Sequence, residues 1–198
     1  MATENLIVEQ GATFEKVIRW ETTPIIYKPI TAMTQAAPIA ITVPNHGAPN
    51  GWRAAVVDAK GMVELNAADI ASIDDAMHLV TVLDTNTIEF NDVSSLAFKA
   101  YKGSGALAYF TPAALTGYTA RMTVRDRIGG TQLSSLTSGT GEITIDTANF
   151  TITLVLTPTT TAAFTWKKGV YDLEMVSPSG RVTRILSGSI TLSKEVTS

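Results

Sequence analysis

Short runs of alternating apolar and polar residues, separated by turn residues, recur along the chain and limit what it can fold into. A period of two places one face of a strand in a core and the other in solvent. The stretch VYDLEMVSPSGRVTRILSGSITL, residues 170–192, alternates, turns at Ser177-Pro178-Ser179-Gly180 and alternates again, as expected of a β-hairpin. Turns about every ten residues are typical of a β-sandwich. The sequence therefore predicts an all-β fold.

The composition favours the same fold class. Threonine is abundant and, with valine, isoleucine and serine, dominates the chain. The β-branched residues among these suit a pleated surface better than a helix. A chain of 198 residues without cysteine can bury a sizeable core without disulfides. The lack of cysteine also excludes thiolate nucleophiles and cysteine-ligated zinc.

The clearest strand patterns lie at the two ends of the chain. Residues 6–8 and 13–20 flank Gln10-Gly11, which predicts two strands joined by a glycine turn, with Lys16 as the exception on the apolar face. Residues 118–125 alternate as a further strand. The other elements expected here are a hairpin of residues 142–146 and 150–156, a helical turn from Thr157-Pro158 to Phe164, and the C-terminal hairpin. In the second strand of the C-terminal hairpin, Arg184 and Ile185 break the alternation, which predicts either a bulge or a strand covered on both faces.

The middle of the chain has a different character. Residues 31–110 contain eight acidic and four basic residues, so this segment carries a net charge of −4. Because the net charge of the whole chain is −3, the two flanking segments together carry +1. Such a difference indicates a separate domain. The elements expected in this domain, which together predict a small β-barrel, are strands at 39–43 and 52–57, a hairpin of 78–83 and 87–90, and a short helix from Ala67 to Met77 capped by Asn66.

These patterns predict a discontinuous organisation. Residues 1–30 and 111–198 form a β-sandwich domain, and residues 31–110 form a β-barrel-like domain inserted in one of its loops. The first two strands cannot complete a fold alone, because an isolated hairpin is marginal in water. Insertions at exposed loop tips are well tolerated.

Histidine, the usual general base and metal ligand, occurs twice. His46 lies in the turn sequence Pro-Asn-His-Gly and is expected to be a turn or packing residue. His78 opens a strand and is expected at the surface or at a sheet edge. A Ser-His-Asp triad needs a histidine held between an acid and a serine, and the chain has no G-x-S-x-G motif to present that serine.

The carboxylates and glycine-rich turns do not form a recognisable site either. Asp74-Asp75 are adjacent and are expected on a solvated face. Asp84 and Asn86 lack the ligand series of an EF-hand, and the Gly-Ser-Gly and Gly-Thr-Gly turns lack a phosphate-binding lysine. A sugar hydrolase, the remote enzymatic alternative, would need Glu64, Asp74, Asp75 and Asp92 to converge in a cleft. We therefore predict that the chain is not an enzyme and has no catalytic, cofactor-binding or metal-binding residues and no cofactor.

The charge and hydropathy of the chain indicate whether nucleic acid or a membrane could be a partner. The densest basic run, from Arg121 to Arg127, alternates with other residues and is expected at the exposed edge of a strand. With a net charge of −3, the chain is not expected to bind nucleic acid. The first residues lack the features of a signal peptide, and no apolar run approaches the ~20 residues that span a bilayer. We predict no membrane partner.

The aromatic residues leave one binding alternative open. Trp20, Phe150, Trp166 and Tyr171 are expected in or beside the sandwich core, as buried aromatics commonly are. A carbohydrate-binding platform needs exposed aromatic rings. In the inserted domain the candidates for such a platform are Trp52, Tyr101, Tyr109 and Phe110.

Three blocks of sequence resemble known families. Gly169-Val-Tyr171-Asp-Leu173 resembles the lead-in to a late strand of immunoglobulin-like domains, in which a tyrosine fixes a corner. The blocks from Glu4 to Phe14, Leu115 to Met122 and Val170 to Arg184 resemble small structural proteins of tailed bacteriophages, in which the first block runs almost directly into the second. The resemblance covers residues 1–30 and 111–198.

The insert is similar to a different module. Residues 30–43, Asn45-His-Gly, 61–66, 86–90 and 98–101 resemble the small β-barrel first described as an insert in ubiquitin-activating enzymes, a module that recurs in phage tail and virion proteins. The resemblance implies that His46-Gly47 and Gly61-Met62 are barrel-turn residues. It implies a virion component made in the host cytoplasm.

The predicted function is structural. We expect a non-enzymatic bacteriophage virion protein of the tail, baseplate or neck/fibre attachment, which assembles with other virion proteins as a homo-oligomer around a symmetric axis. Sheet edges and chain termini are natural sites for strand addition, so Ala2–Val8 and Thr191–Ser198 are the predicted docking arms, and the irregular strand after Gly180 is the predicted place of a subunit contact. The alternatives are a host-surface carbohydrate-recognition module acting through the insert and a capsid decoration protein.

Overall fold

The protein is described by a computed structural model over residues 2–68 and 76–194. Strands are the main secondary structure of these residues, which also contain a short α-helix and the 3-10 turn Val63–Leu65. The strands are β1 (Ala2–Thr3), β2 (Leu6–Glu9), β3 (Phe14–Ile18), β4 (Glu21–Pro29), β5 (Ala32–Met33), β6 (Ile39–Thr42), β7 (Arg53–Val57), β8 (His78–Asp84), β9 (Thr87–Phe90), β10 (Ala106–Pro112), β11 (Thr119–Arg125), β12 (Gln132–Thr137), β13 (Ile143–Asp146), β14 (Thr151–Leu156), β15 (Lys168–Val176) and β16 (Val182–Ser193), and the helix α1 is Pro158–Ala162.

The chain divides into two compact units. Residues 1–20 and 114–198 form the first, and residues 21–113 form the second. Boundaries at 30/31 and 110/111, as the sequence suggested, would divide the antiparallel ladder of β4 and β10. That ladder runs from Glu21 opposite Pro112 to Pro29 opposite Ala106, so both strands belong to the inserted unit.

The first unit is a β-sandwich. One sheet has the order β1-β16-β15-β11-β12, with β2 also paired to β16, and the other has the order β13-β14-β3. In immunoglobulin-like domains the second, fifth and fourth strands form one sheet and the third, sixth and seventh form the other. The sandwich has this arrangement when β3 is taken as the second strand and β11, after the insert, as the third.

Alternation along the strands builds the core of the sandwich. In β14 the residues Ile152, Leu154 and Leu156 are buried and their neighbours are half-buried. Phe150 does not continue this row, because it precedes β14 in a turn with φ +54° and is half-buried. Among the four aromatic residues expected in or beside this core, Tyr171 is buried, whereas Trp20, Phe150 and Trp166 are half-buried.

The C-terminal hairpin carries the predicted bulge. Leu173 lies opposite Leu186 and Glu174 lies opposite Arg184, so Ile185 is the extra residue of β16. A bulge turns consecutive side chains towards the same side of a sheet, and both Ile185 and Leu186 are buried. The alternation therefore breaks here because the ladder shifts by one residue.

The second unit is a barrel. Its strands follow the order β4-β10-β7-β8-β9-β6-β5, and the two end strands are successive stretches of one chain segment. At the junction, Ile30 N–H donates to Gly105 O at 3.1 Å and the next amide, Thr31 N–H, donates to Thr42 O at 2.9 Å. Neighbouring residues thus pair with opposite ends of the sheet, which closes it.

The helix that the sequence predicts in the insert, with Asn66 as its cap, is only partly covered by the described residues. Most of the predicted helix between Ala67 and Met77, together with Asp74-Asp75, lies outside the described residues. Asn66 does not cap a helix start in the described part. It follows the 3-10 turn, and its side chain forms two hydrogen bonds with the backbone of Ala59. No helix among the described residues has the length and apolar character needed to cross a membrane.

Candidate functional site

The inserted barrel has a concave region where β8 begins. There His78 Nδ1 lies 2.7 Å from Asp92 Oδ2, and the imidazole ring stacks on the buried ring of Phe90 with centroids 4.9 Å apart. The sequence predicted His78 at a surface or edge and did not connect it with Asp92. The register of the β8–β9 hairpin would have predicted this pair. Val80 lies opposite Phe90, so continuing the same register places residue 78 opposite residue 92. The region is lined by Asn50, Gly51, Met77, His78, Leu79, Val80, Thr81, Asn91 and Asp92.

The chemistry of this region is that of a polar binding surface. Thr81 supplies a hydroxyl, but that hydroxyl accepts a hydrogen bond from Asn91 Nδ2 at 2.8 Å and is not bonded to the imidazole. Asn50 Oδ1 accepts from Val82 N–H at 3.0 Å, which leaves the Asn50 amide nitrogen as a donor. Amide, imidazole and carboxylate groups beside the exposed Leu79 offer both donors and acceptors to a neutral polar ligand.

His46 has a structural role. It is 3% exposed, and its Nε2–H donates to Asp84 O at 2.9 Å while Nδ1 accepts from Ala48 N–H at 3.1 Å. The backbone oxygen of His46 accepts from Tyr109 Oη at 2.6 Å, and burial raises the pKa of Tyr109. Both ring nitrogens of His46 are therefore used within the barrel, in agreement with the predicted turn or packing role.

The acidic residues named for a hydrolase do not share one described site. Glu64 Oε1 accepts from Lys99 N–H at 3.3 Å, whereas Asp92 pairs with His78. Asp74-Asp75 lie outside the described residues. Asp84 Oδ1 accepts from Asn86 N–H at 2.7 Å within a hairpin turn. Across residues 2–68 and 76–194, no cluster of three histidine or acidic side chains suited to a metal ion is present.

The aromatic residues of the insert are placed differently from the predicted platform. Trp52 is 0% exposed, and its Nε1–H donates to Phe110 O at 2.9 Å. Tyr109 is likewise buried. The hydroxyl of Tyr101 lies within hydrogen-bond distance of the backbone oxygens of Ile30, at 2.9 Å, and Ser104, at 2.7 Å. Trp52 and Tyr109 are thus core residues, so they do not provide exposed rings for sugar stacking.

In the sandwich, the N-terminal segment is fixed along β16. The strands β1 and β2 pair with β16 in parallel, and the link between them is clamped at Glu4. Tyr171 Oη donates to Glu4 O at 2.9 Å, and Lys16 Nζ forms an ion pair with the Glu4 carboxylate. Burial, with a contribution from the Glu4 charge, raises the pKa of Tyr171 to about 12. The ion pair also explains why Lys16 interrupts the apolar face of its strand.

The bonds that fix the N-terminal segment also bear on the predicted docking arms, Ala2–Val8 and Thr191–Ser198. Asn5 Oδ1 accepts from both the amide and the hydroxyl of Ser189, and a Cβ at Gly188 would lie 1.8 Å from Glu4 O. Leu6 and Val8 are buried. Residues 2–8 therefore form part of the sandwich in this chain. Residues 191–193 lie within β16, and residues 195–198 are outside the described part.

The basic run beginning at Arg121 is not at a sheet edge. Its strand, β11, lies between β15 and β12. The Arg121 guanidinium pairs with Glu174 at 2.8 Å, and Arg184 pairs with Asp172 at 2.9 Å. Arg125 Nη1 donates to Gly130 O at 2.7 Å. Arg121, Arg125 and Arg184 thus have carboxylate or carbonyl partners within the sandwich.

The sandwich ends in open strands. The described ladders end at β1 and β12 in one sheet and at β13 and β3 in the other. The β12 edge is partly covered, because Thr137 N–H donates to Glu142 Oε2 at 3.4 Å. Hydrogen bonding to Thr140 is the main cause of the lowered pKa of Glu142.

No protein-family model matches the chain, and no curated protein matches it.

Proposed function

We propose that this chain is a non-enzymatic structural component of a bacteriophage virion, in the tail, baseplate or neck/fibre attachment. It acts by assembly with other virion proteins and with further copies of itself around a symmetric axis. Catalysis, nucleic acid and membrane have no part in this role.

The observation that carries the proposal is the meeting of the three phage-like sequence blocks in one unit. The block from Leu115 to Met122 enters β11, whose Met122 lies opposite Leu173 of the C-terminal block. The N-terminal block joins the C-terminal one through the bond from Tyr171 Oη to Glu4 O. Segments more than 100 residues apart in the chain thus form one sheet, and the insert lies outside it. This grouping fits the resemblance to small structural proteins of tailed bacteriophages, in which the first block runs almost directly into the second.

The sheet edges support assembly as the mode of action. A strand edge with unpaired amides and carbonyls is a template for another chain, and the sandwich ends in such strands whereas the inserted barrel closes on itself. Oligomers of one chain are commonly symmetric. The sandwich is therefore the unit that we expect to form subunit contacts.

The test is the location of the chain in a particle. Antibodies raised against the full chain are used for immunogold labelling of purified particles of the phage whose genome encodes it. We expect label at the tail, baseplate or neck. Label over the capsid would instead support a decoration protein, and unlabelled particles that also lack the chain by mass spectrometry would overturn the proposal.

A second function is favoured by the concave region of the barrel. Its mixed donors and acceptors, among them Asn50, His78 and Asp92, suit the hydroxyl groups of a sugar, so the alternative role is recognition of host-surface carbohydrate. Glycan-array binding by the full chain, lost in Asp92→Ala and retained in Asp58→Ala, would support this role. Binding that is unaffected by Asp92→Ala would exclude this region as the sugar site.

A further inference from the structure

The outer edge of β3 is a vacant position in the sandwich. β3 pairs with β14 on one side, and the described residues form no ladder on its other side. In immunoglobulin-like domains the first strand of the chain occupies that position. Here β1 and β2 pair with β16 of the opposite sheet, so the chain does not fill it.

The direction of the backbone groups on β3 follows from the register. Val155 N–H donates to Glu142 O at 2.8 Å, towards β13. Alternate residues of an antiparallel strand bond to opposite neighbours, so Leu154 faces β3 and bonds with Lys16, its register partner. Glu15 and Val17, on either side of Lys16, therefore direct their N–H and C=O groups towards the vacant position.

The side chains on this edge form a self-complementary row. Glu15, Val17 and Arg19 alternate with the core-facing residues and share one face. Glu15 is exposed, and Val17 is 42% exposed. Arg19 is half-buried, and its Nε is buried without a hydrogen-bond partner among the described residues. The row thus reads acidic, apolar, basic.

We propose that a second copy of this chain pairs with the β3 edge, antiparallel, across a two-fold axis at Val17. This pairing rests on the assembly role proposed above and assigns its interface. In this register Val17 meets Val17 of the second copy, and Glu15 meets Arg19 of the second copy at two equivalent places. Opposite charges and apolar groups directly across an antiparallel pair stabilise it, and a two-fold contact uses the same patch on both copies.

The charges also select this register. A shift of the pairing by two residues in one direction would place Lys16 opposite Lys16 of the second copy, and like charges directly opposite each other are destabilising. A shift in the other direction would place Arg19 opposite Val17 and so remove the pairs of Glu15 with Arg19. Two of the other edges are less suited, since Glu142 covers part of β12 and the β1–β2 edge is interrupted at Glu4 and Asn5. On the core face, the chosen register places Phe14 opposite Trp20 of the second copy, and both residues are half-buried in the single chain.

The absence of cysteine allows a direct test by disulfide trapping. In a hydrogen-bonded antiparallel pair the Cα atoms are about 5.5 Å apart, within the ~4.4–6.8 Å that a disulfide spans. Under mild oxidation we expect the full chain carrying Val17→Cys to form a covalent dimer rapidly. The matched control is Val182→Cys, because Val182 is 46% exposed and lies on a different strand.

Charge exchange gives an independent test by sedimentation velocity. Glu15→Arg is expected to raise the dimer Kd by at least about tenfold, because it opposes like charges at two places. Adding Arg19→Glu is expected to restore the affinity. Circular dichroism of each variant reports folding, and the exposed Glu15 and Val17 substitutions remain informative if the Arg19 variant does not fold.

The outcomes separate this interface from the assembly role. A chain that is monomeric at all concentrations overturns the β3 pairing, as does an oligomer that neither crosslinks at position 17 more than the control nor responds to Glu15→Arg. Neither result decides whether the chain is in the virion, because particle labelling tests that separately.

Discussion

The sandwich and the inserted barrel differ in what they do with the unpaired backbone groups at the edges of their sheets. The barrel turns one strand segment, β4 to β5, so that consecutive amides pair with the two ends of its sheet. The sandwich keeps two sheets whose described end strands are open. Closure removes templates for other chains and open edges provide them. Similar alternating sequences can therefore give one unit whose sheet closes and one whose sheets end in open strands.

The two units also differ in how they fix their polar groups. In the barrel, His46 is buried with both ring nitrogens bonded, and Trp52 donates to a backbone oxygen. In the sandwich, polar bonds tie the N-terminal segment to the rest: Tyr171 holds Glu4 O, and the buried Thr161 donates to Ala12 O at 2.7 Å. The barrel uses such bonds within a closed core, and the sandwich uses them to hold an edge.

The largest expected effect is on the barrel. Trp52→Ala removes a fully buried ring and is expected to cost ~3–5 kcal/mol in the free energy of unfolding. Hydrogen-exchange mass spectrometry should show faster exchange in peptides from residues 21–113 and unchanged exchange in those from 114–194. Val63→Ala, at a site 49% exposed, is the control. Equal acceleration in both units would show that the barrel and the sandwich unfold together.

A smaller effect is expected at the edge of the sandwich. Gly188→Ala would place a Cβ 1.8 Å from Glu4 O, so β1 must move and the stability should fall by ~1–3 kcal/mol. Exchange should accelerate in peptides from residues 2–9 and remain unchanged in the barrel. Gly139→Ala, where the nearest atom is 3.6 Å away, should have little effect. A stable Gly188→Ala variant with a protected N-terminal segment would contradict the clamp.

The smallest effect on stability is expected from removing the Tyr171 hydroxyl. Tyr171→Phe removes the bond to Glu4 O and should cost ~1 kcal/mol near neutral pH. The folded-state pKa of Tyr171, about 12, is above the unfolded value of ~10. The stabilisation from the neutral phenol is thus complete below pH ~10 and is lost as the pH rises towards 12.

The pH dependence of unfolding checks this effect. Urea unfolding followed between neutral and strongly alkaline pH should show a shallower alkaline loss of stability in Tyr171→Phe than in the unmodified chain. Tyr27→Phe, at a ring 45% exposed, is the control. Identical alkaline profiles for Tyr171→Phe and the unmodified chain would show that Tyr171 does not titrate differently in the folded and unfolded states.

Local sequence patterns predicted much of the strand content. The hairpin of β8 and β9, the strand β11 and the C-terminal hairpin follow their alternation, and Thr157 caps α1 by accepting from Thr160 N–H at 3.2 Å. The strands that the patterns did not reveal are the two-residue strands β1 and β5 and the longer strands β4, β10 and β12. β4 contains Pro24 and Pro29, which argue against a strand, and β12, QLSSLT, lacks regular alternation.

The candidate sites were less accessible from sequence. His46 was interpreted as a turn or packing residue, and the structure buries it with both ring nitrogens bonded to nearby backbone groups. The pair of His78 and Asp92 required the register of the β8–β9 hairpin. The burial of Trp52 depends on closure of the barrel around it, and no local pattern distinguishes a buried tryptophan from an exposed one.

The sequence by itself determined the fold class and the inward face of most strands, because alternation and β-branching act between neighbouring residues. It also determined the bulge region, where Arg184 and Ile185 break the alternation. Only the tertiary structure decided which edges meet: the parallel pairing of β1 and β2 with β16, the β4–β10 ladder that sets the unit boundaries, and the open edge of β3. These pairings join residues distant in sequence, and they depend on which backbone groups the rest of the fold leaves unpaired.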